Sequence, residues 1–317
     1  MNRFFLISGL LFTALFVFVN CATHQPVAFK SPNGRTLPLL YLDDCDDYEQ
    51  QLVELDPNRE VILLVHGCKA SSGRFSTLKK VVESYGQQAI CFNYDYRARL
   101  EQSAARLSKA IDQLATWIGP PQITIIGHSQ GGLVARRALI KEQTDPLRAD
   151  IPNIRLVTIS SPFNGIKASA HCGLTSLHIL SAGLSVLICQ GIAGAIWSEV
   201  HPRAAFINLP GTVLDAVSDH LKIVTDERGT CRRHDPSGKC VESDLVFTLE
   251  EQYHTVVDSD QRVTNVELKV GHARVVGMAE YPPYKLVEVL QKYDVIRADS
   301  AISAVEQKVI LAQLYQY

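Results

Sequence analysis

The sequence predicts an α/β protein: a mostly parallel central sheet with helices on both faces. Three observations carry this. Val61-Ile62-Leu63-Leu64-Val65 is an unbroken apolar run, the pattern of a strand buried on both faces. Strand-like and helix-like segments alternate after Pro57-Asn58. Finally, Ile123-Thr124-Ile125-Ile126 runs directly into Gly127-His128-Ser129-Gln130-Gly131 and then into helix-like Leu133 to Leu139, giving strand, tight turn and helix in succession.

The elements follow in order. After the first strand, Phe75 to Tyr85 has helical spacing, and Ala89 to Tyr94 reads as the next strand. Ser103 to Ile118 places Ala105, Leu107, Ile111, Leu114 and Trp117 near one helical stripe, stopped by Gly119-Pro120-Pro121. The serine-bearing turn and its helix come next. Ile154 to Ile159, Leu221 to Thr225 and Val266 to Val270 are three further strands, and Ala301 to Tyr315 is an amphipathic C-terminal helix.

Residues 1–21 stand apart from the fold. Met1-Asn2-Arg3 is cationic, Phe4 to Val19 is apolar, and Asn20-Cys21-Ala22 follows. This resembles a bacterial lipoprotein signal, in which the cysteine is lipidated; an ordinary cleaved signal peptide or an uncleaved anchor is the alternative. The expected location is therefore the bacterial cell envelope, anchored in the membrane or secreted. Ala22 in place of an aspartate leans toward the outer membrane.

Residues 22–57 are polar and read as a tether and a lead-in segment, and residues 58–317 as one domain with an insertion at about 165–215. Asp43-Asp44-Cys45-Asp46-Asp47 reads as a solvated loop rather than a calcium site. Within the insertion, Ile179 to Ile196 is almost wholly apolar. A second membrane span there would split the sheet across the bilayer, so the stretch is either a buried helix or a lid that meets lipid.

Composition narrows the partners. The net charge is only −2, and no dense basic patch is interleaved with aromatics, so a nucleic-acid partner is excluded. With Cys21 set aside, seven of the eight cysteines remain, an odd number that leaves one thiol free. Cys231 and Cys240 bracket a polar turn and are the first expected disulfide; Cys172 with Cys189 and Cys45 with Cys91 complete the pairs, leaving Cys68. Several of these cysteines could equally be small buried hydrophobes.

Ser129 lies at the apex of a glycine-flanked turn, where its hydroxyl is lifted clear of the sheet. A serine nucleophile needs a base, and that base needs a carboxylate. His272 follows the strand ending at Val270, at the end of the sheet where functional groups collect. His254 has no strand before it, and His220 precedes its strand. Asp244 is the expected acid, with Asp226 at the end of its strand as rival. The oxyanion donors are expected to be the backbone N–H groups of Gln130 and of Cys68, in the loop His66-Gly67-Cys68.

Leu64-Val65-His66-Gly67, Gly127-His128-Ser129-Gln130-Gly131-Gly132, Ser160-Ser161-Pro162-Phe163-Asn164-Gly165, Ser243-Asp244-Leu245-Val246 and His272 together resemble the α/β-hydrolase fold, and within it bacterial lipases and lipase-like esterases. The resemblance covers roughly residues 59–292. Phe163 stands where such lipases often carry histidine, and Leu245 departs from the usual Asp-Gly pair. The resemblance implies hydrolysis of lipid-like acyl esters through Ser129, Asp244 and His272, without a metal or organic cofactor. An acyltransferase or a phospholipase acting on envelope lipids would use the same triad. A non-catalytic lipoprotein binding lipid or protein on this scaffold is the reading from a different class.

Overall fold

The computed structural model describes residues 27–30, 36–46, 53–143, 147, 153–168, 196, 198–278, 281–297 and 303–315. The chain enters through a small hairpin, β1 (Val27–Lys30) and β2 (Thr36–Leu39), and then β3 (Leu42–Asp43). The domain proper follows: β4 (Val61–Val65), α1 (Ser76–Ser84), β5 (Gln88–Phe92), α2 (Leu100–Trp117), β6 (Ile123–His128), α3 (Gln130–Ala138) and β7 (Ile154–Ile159). Next come α4 (Ala205–Asn208), β8 (Val217–Asp226), a hairpin of β9 (Cys231–His234) and β10 (Cys240–Ser243), α5 (Leu249–Gln252) and α6 (Thr255–Asp258). The chain closes with β11 (Val263–Lys269), α7 (Tyr284–Lys292) and α8 (Ala304–Leu314).

The main sheet has the order β11-β8-β7-β6-β4-β5-β3. All its pairings are parallel except β3 with β5. Alternation along β4 shows why its apolar run is continuous. Val61, Leu63 and Val65 enter one core with Leu107, Ile111 and Leu114 of α2. Ile62 and Leu64 enter the other with Leu78 and Val82 of α1, Leu290 of α7 and Leu311 of α8. Period-two alternation therefore sends successive side chains into two separate cores, so both faces of this strand are apolar.

The lead-in segment does more than connect, because β3 extends the sheet by pairing Leu42 with Phe92 and Asp43 with Cys91. Nor is the acidic cluster simply a solvated loop. Asp43 is buried and accepts hydrogen bonds from Ser72 Oγ at 2.6 Å, Asn93 Nδ2 at 2.7 Å and the Cys45 N–H at 2.9 Å. Cys45 and Cys91 form a disulfide that fixes this edge, and Cys231 and Cys240 form a second. Cys68 is free and exposed.

Among the described residues no helix is long and apolar enough to cross a membrane, and no group of His, Cys, Asp or Glu is placed to hold a metal ion. The signal segment, Cys21, the Cys172–Cys189 pair and the stretch 179–195 lie outside the described residues. Ile196, Val200, Phe206, Ile207 and Val213, at the end of the insertion, pack into the α2/α3 core.

Asp43→Ala should strand three buried donors and lower the unfolding free energy by about 2 to 4 kcal/mol. Urea denaturation with the disulfides kept intact measures this; an unchanged midpoint would show that the carboxylate does not organise the edge.

Candidate active site

Ser129 sits between β6 and α3 with φ 58° and ψ −126°, a backbone conformation that costs a non-glycine residue energy. Its N–H donates to Ile159 O at 2.8 Å, and its carbonyl accepts from the Gly132 N–H at 3.1 Å. The flanking glycines are steric necessities. A Cβ on Gly127 would lie 2.6 Å from Gly131 O, and one on Gly131 would lie 2.2 Å from Val65 O. Gly67 approaches from the other side; a Cβ there would stand 2.8 Å from Ser129 Cβ. The loop after β4 thus packs directly against the serine.

His272 lies just beyond β11, with its Nε2 3.1 Å from Ser129 Oγ. The opposite ring nitrogen, Nδ1, is 3.1 Å from Glu227 Oε1 and 2.8 Å from Ser160 Oγ. An ionised carboxylate only accepts, so this network places the proton on Nδ1 and turns the Nε2 lone pair toward the serine hydroxyl. Glu227 is buried, and its Oε2 accepts the N–H groups of Val246 at 2.6 Å and Phe247 at 2.8 Å. Burial alone would raise its carboxyl pKa. The hydrogen bond and charge of His272, with the two backbone donors, outweigh burial and hold it below the usual glutamate range. The Phe247 ring stands edge-on to the imidazole, with centroids 4.9 Å apart.

The carboxylate beside the imidazole is therefore Glu227, not the expected Asp244. Asp244 is fully buried and serves the backbone instead. It accepts the Ala273 N–H at 3.1 Å and the Arg274 N–H at 3.1 Å, with Arg232 Nε at 3.0 Å. Its carbonyl accepts the His272 N–H at 3.0 Å. Gly271 is obligatory for this packing, since a Cβ there would lie 2.1 Å from Asp244 Oδ2. Asp226, the rival, points elsewhere and is ion-paired to Arg228 and Lys269 at the sheet edge. His254 caps α6, and His220 is buried beside Thr158 Oγ1 at 2.8 Å. Neither makes a hydrogen bond to Ser129.

His128, the residue before the serine, also serves this site. Its Nε2–H donates to His272 O at 3.0 Å, and the two rings lie 4.7 Å apart. Burial, then the neighbouring His272, pushes its pKa well below the ordinary histidine value, so it is held neutral. The two backbone groups expected as oxyanion donors lie on the segments that frame the serine. Gln130 opens α3, where the first N–H groups have no intrahelical acceptor. Cys68 follows Gly67. The Gln130 side chain anchors to Tyr96 O at 2.9 Å, and Tyr94 ties down the other loop by donating to His66 O at 2.8 Å.

Residues 61–207 match the palmitoyl protein thioesterase family. No curated protein matches the chain significantly. Among solved structures, a Bacillus licheniformis lipase in propeptide form superposes with a TM-score of 0.52 at 13% identity, over 78% of this chain and 53% of that one. Its mature form gives 0.48 at 13% identity, over 75% and 93%. A Pyrococcus furiosus esterase gives 0.48 at 14% identity, over 86% and 89%. With the sheet order above, the fold is that of the α/β-hydrolases.

Burial also pushes His220 well below the usual histidine pKa, helped by the charges of Arg136 and Lys222. His128 and His220 are thus neutral when folded but take up protons below about pH 6.5 when unfolded. Their contribution to stability is fully present above that pH and is lost as the pH falls toward their folded values. Unfolding free energy should drop from pH 7 to pH 5, by up to about 1.4 kcal/mol per pH unit for each histidine. Urea titrations should show a shallower slope in His220→Gln; an identical slope would refute the assignment.

Proposed function

We propose that the protein is a serine hydrolase of lipid-like acyl esters, working through Ser129, His272 and Glu227. The observation that carries this is the unbroken line from the Ser129 hydroxyl to His272 Nε2 and from Nδ1 to the buried Glu227 carboxylate. The family match and the α/β-hydrolase fold support an ester hydrolase in general. Palmitoyl thioesters are a second class of substrate, favoured by the family that residues 61–207 match.

In this reading Ser129 Oγ attacks the acyl carbonyl while His272 Nε2 takes its proton. Glu227 stabilises the resulting imidazolium. The N–H groups of Gln130 and Cys68 bind the oxygen as it becomes negative. His272 returns the proton to the leaving alcohol or thiol, and water cleaves the acyl-enzyme by the same steps. If an alcohol on another lipid replaces water, the same machinery is an acyltransferase, and product analysis with acceptor lipids present separates the two. The N-terminal pattern adds export and a lipid anchor at Cys21.

Ser129→Ala should lower kcat by about a million-fold. Glu227→Gln should lower it by about ten-thousand-fold. Asp226→Asn should leave it nearly unchanged, because that carboxylate pairs with the exposed Arg228 and Lys269 side chains and not with His272. Asp244→Asn should lower Tm together with activity, because its effect runs through the backbone around His272. Rates on p-nitrophenyl and S-acyl substrates of increasing chain length, with a thermal melt of each variant, measure all four. An inactive Asp244→Asn of native stability beside an active Glu227→Gln would return the acid role to Asp244. A wild-type protein that no fluorophosphonate labels would leave the non-catalytic binding module as the answer. Cys21→Ser should move the protein from the membrane to the soluble fraction; retention in the membrane would remove the lipid anchor.

A further inference from the structure

Ser160 follows β7 and occupies the left-handed region, with φ 48°. That conformation is costly for a residue with a Cβ, and glycine would adopt it freely. The side chain is completely buried. Its Oγ donates to Glu227 Oε1 at 2.8 Å, lies 2.8 Å from His272 Nδ1, and is within 2.8 Å of Thr225 Oγ1. The Ser160 N–H donates to Ile223 O at 2.8 Å, so the hydroxyl is carried by a backbone pinned to β8.

The proton inventory fixes the roles. Nδ1 has one hydrogen to give and Glu227 has none. The serine hydrogen is directed to the carboxylate, leaving an oxygen lone pair for Nδ1–H. From Nδ1, the hydroxyl is nearer than the carboxylate, 2.8 Å against 3.1 Å. We propose that Ser160 is a positioning residue of the catalytic site: its hydroxyl shares the His272 Nδ1 proton with Glu227, forming a three-centre bond that fixes the imidazole. The strain at Ser160 persists because a glycine there would remove this oxygen. The role rests on the proposed hydrolase reading; the geometry of the shared proton does not.

Two variants and two readouts test this. Ser160→Ala keeps the backbone strain and removes the hydroxyl, whereas Ser160→Gly removes both. Each should lower kcat by about ten- to a hundredfold with KM unchanged, the size of one hydrogen bond to a charged group. Ser160→Gly should melt above Ser160→Ala yet be no more active, an outcome that a purely structural serine would not give. The second readout needs no substrate. The low-field imidazole Nδ1 proton resonance should move in both variants as Glu227 takes the whole bond. A kcat within about twofold of wild type in both variants, with that resonance unmoved, would overturn the proposal. If neither variant folds, Thr225→Val, which removes a hydroxyl bonded to Ser160 and Glu227, should shift the same resonance; no shift there would equally overturn it. A wild-type protein without esterase activity or fluorophosphonate labelling would defeat the hydrolase reading, and the resonance would still decide whether the proton is shared.

Discussion

The site depends on a steric constraint: three backbone segments pass at one point with no room for side chains between them. The start of α3 lies against the end of β4, and β6 closes against α3, so Gly127 and Gly131 meet carbonyl oxygens where a Cβ would have to stand. This crossing forces Ser129 into its costly conformation, and the hydrogen bond to Ile159 O holds it there. The energy comes from the surrounding fold. Buried strands supply two cores, and a strained turn persists only because so much packing over-determines it. The same approach brings Gly67, and with it the loop that continues into Cys68, onto the serine.

The second half of the site is a division of labour between two buried carboxylates. Glu227 faces the ring of His272, and Asp244 faces its backbone. Both are needed because the imidazole lies in a loop beyond an edge strand. A loop offers no ladder to hold it, so its N–H groups must find partners elsewhere. Asp244 supplies acceptors for three consecutive residues, His272, Ala273 and Arg274. His128 secures the remaining carbonyl from beneath. The ring of the histidine and the backbone that carries it are therefore held by different carboxylates.

This division also explains what could be read in the sequence. The strands were legible because burial on both faces leaves unbroken apolar runs, as in β4. The serine turn was legible because glycine is the only residue the crossing admits. His272 was legible as a residue just beyond a strand end. The carboxylate beside its ring was not, for a local reason. Asp226 and Glu227 are adjacent where β8 ends: Asp226, its last residue, pairs with Arg228 and Lys269, while Glu227, just beyond the strand, turns toward the ring. Spacing alone could not say which. Asp244 matched a family-like pattern and does lie at the site, but its contact is with backbone N–H groups, which leave no mark in composition. The β3 strand was missed because two residues in a polar stretch carry no periodicity. Ser160 and His128 carry no signal of their own, because each stands inside a motif whose pattern is set by another residue.

The polar excursion between β8 and Asp244 is tied into this arrangement. The Cys231–Cys240 bridge closes a loop of sequence separation 9, and a loop that short restrains the unfolded chain less than a long one would. Its more direct consequence is local. It fixes the hairpin from which Arg232 reaches Asp244 Oδ1 at 3.0 Å. Both oxygens of this fully buried carboxylate are engaged, Oδ1 by Arg232 and both by the N–H groups of the His272 loop, so no acceptor is left unpaired. The covalent bridge, the guanidinium, the carboxylate and the loop carrying the imidazole thus form one continuous support, running from the protein surface to the ring that faces Ser129.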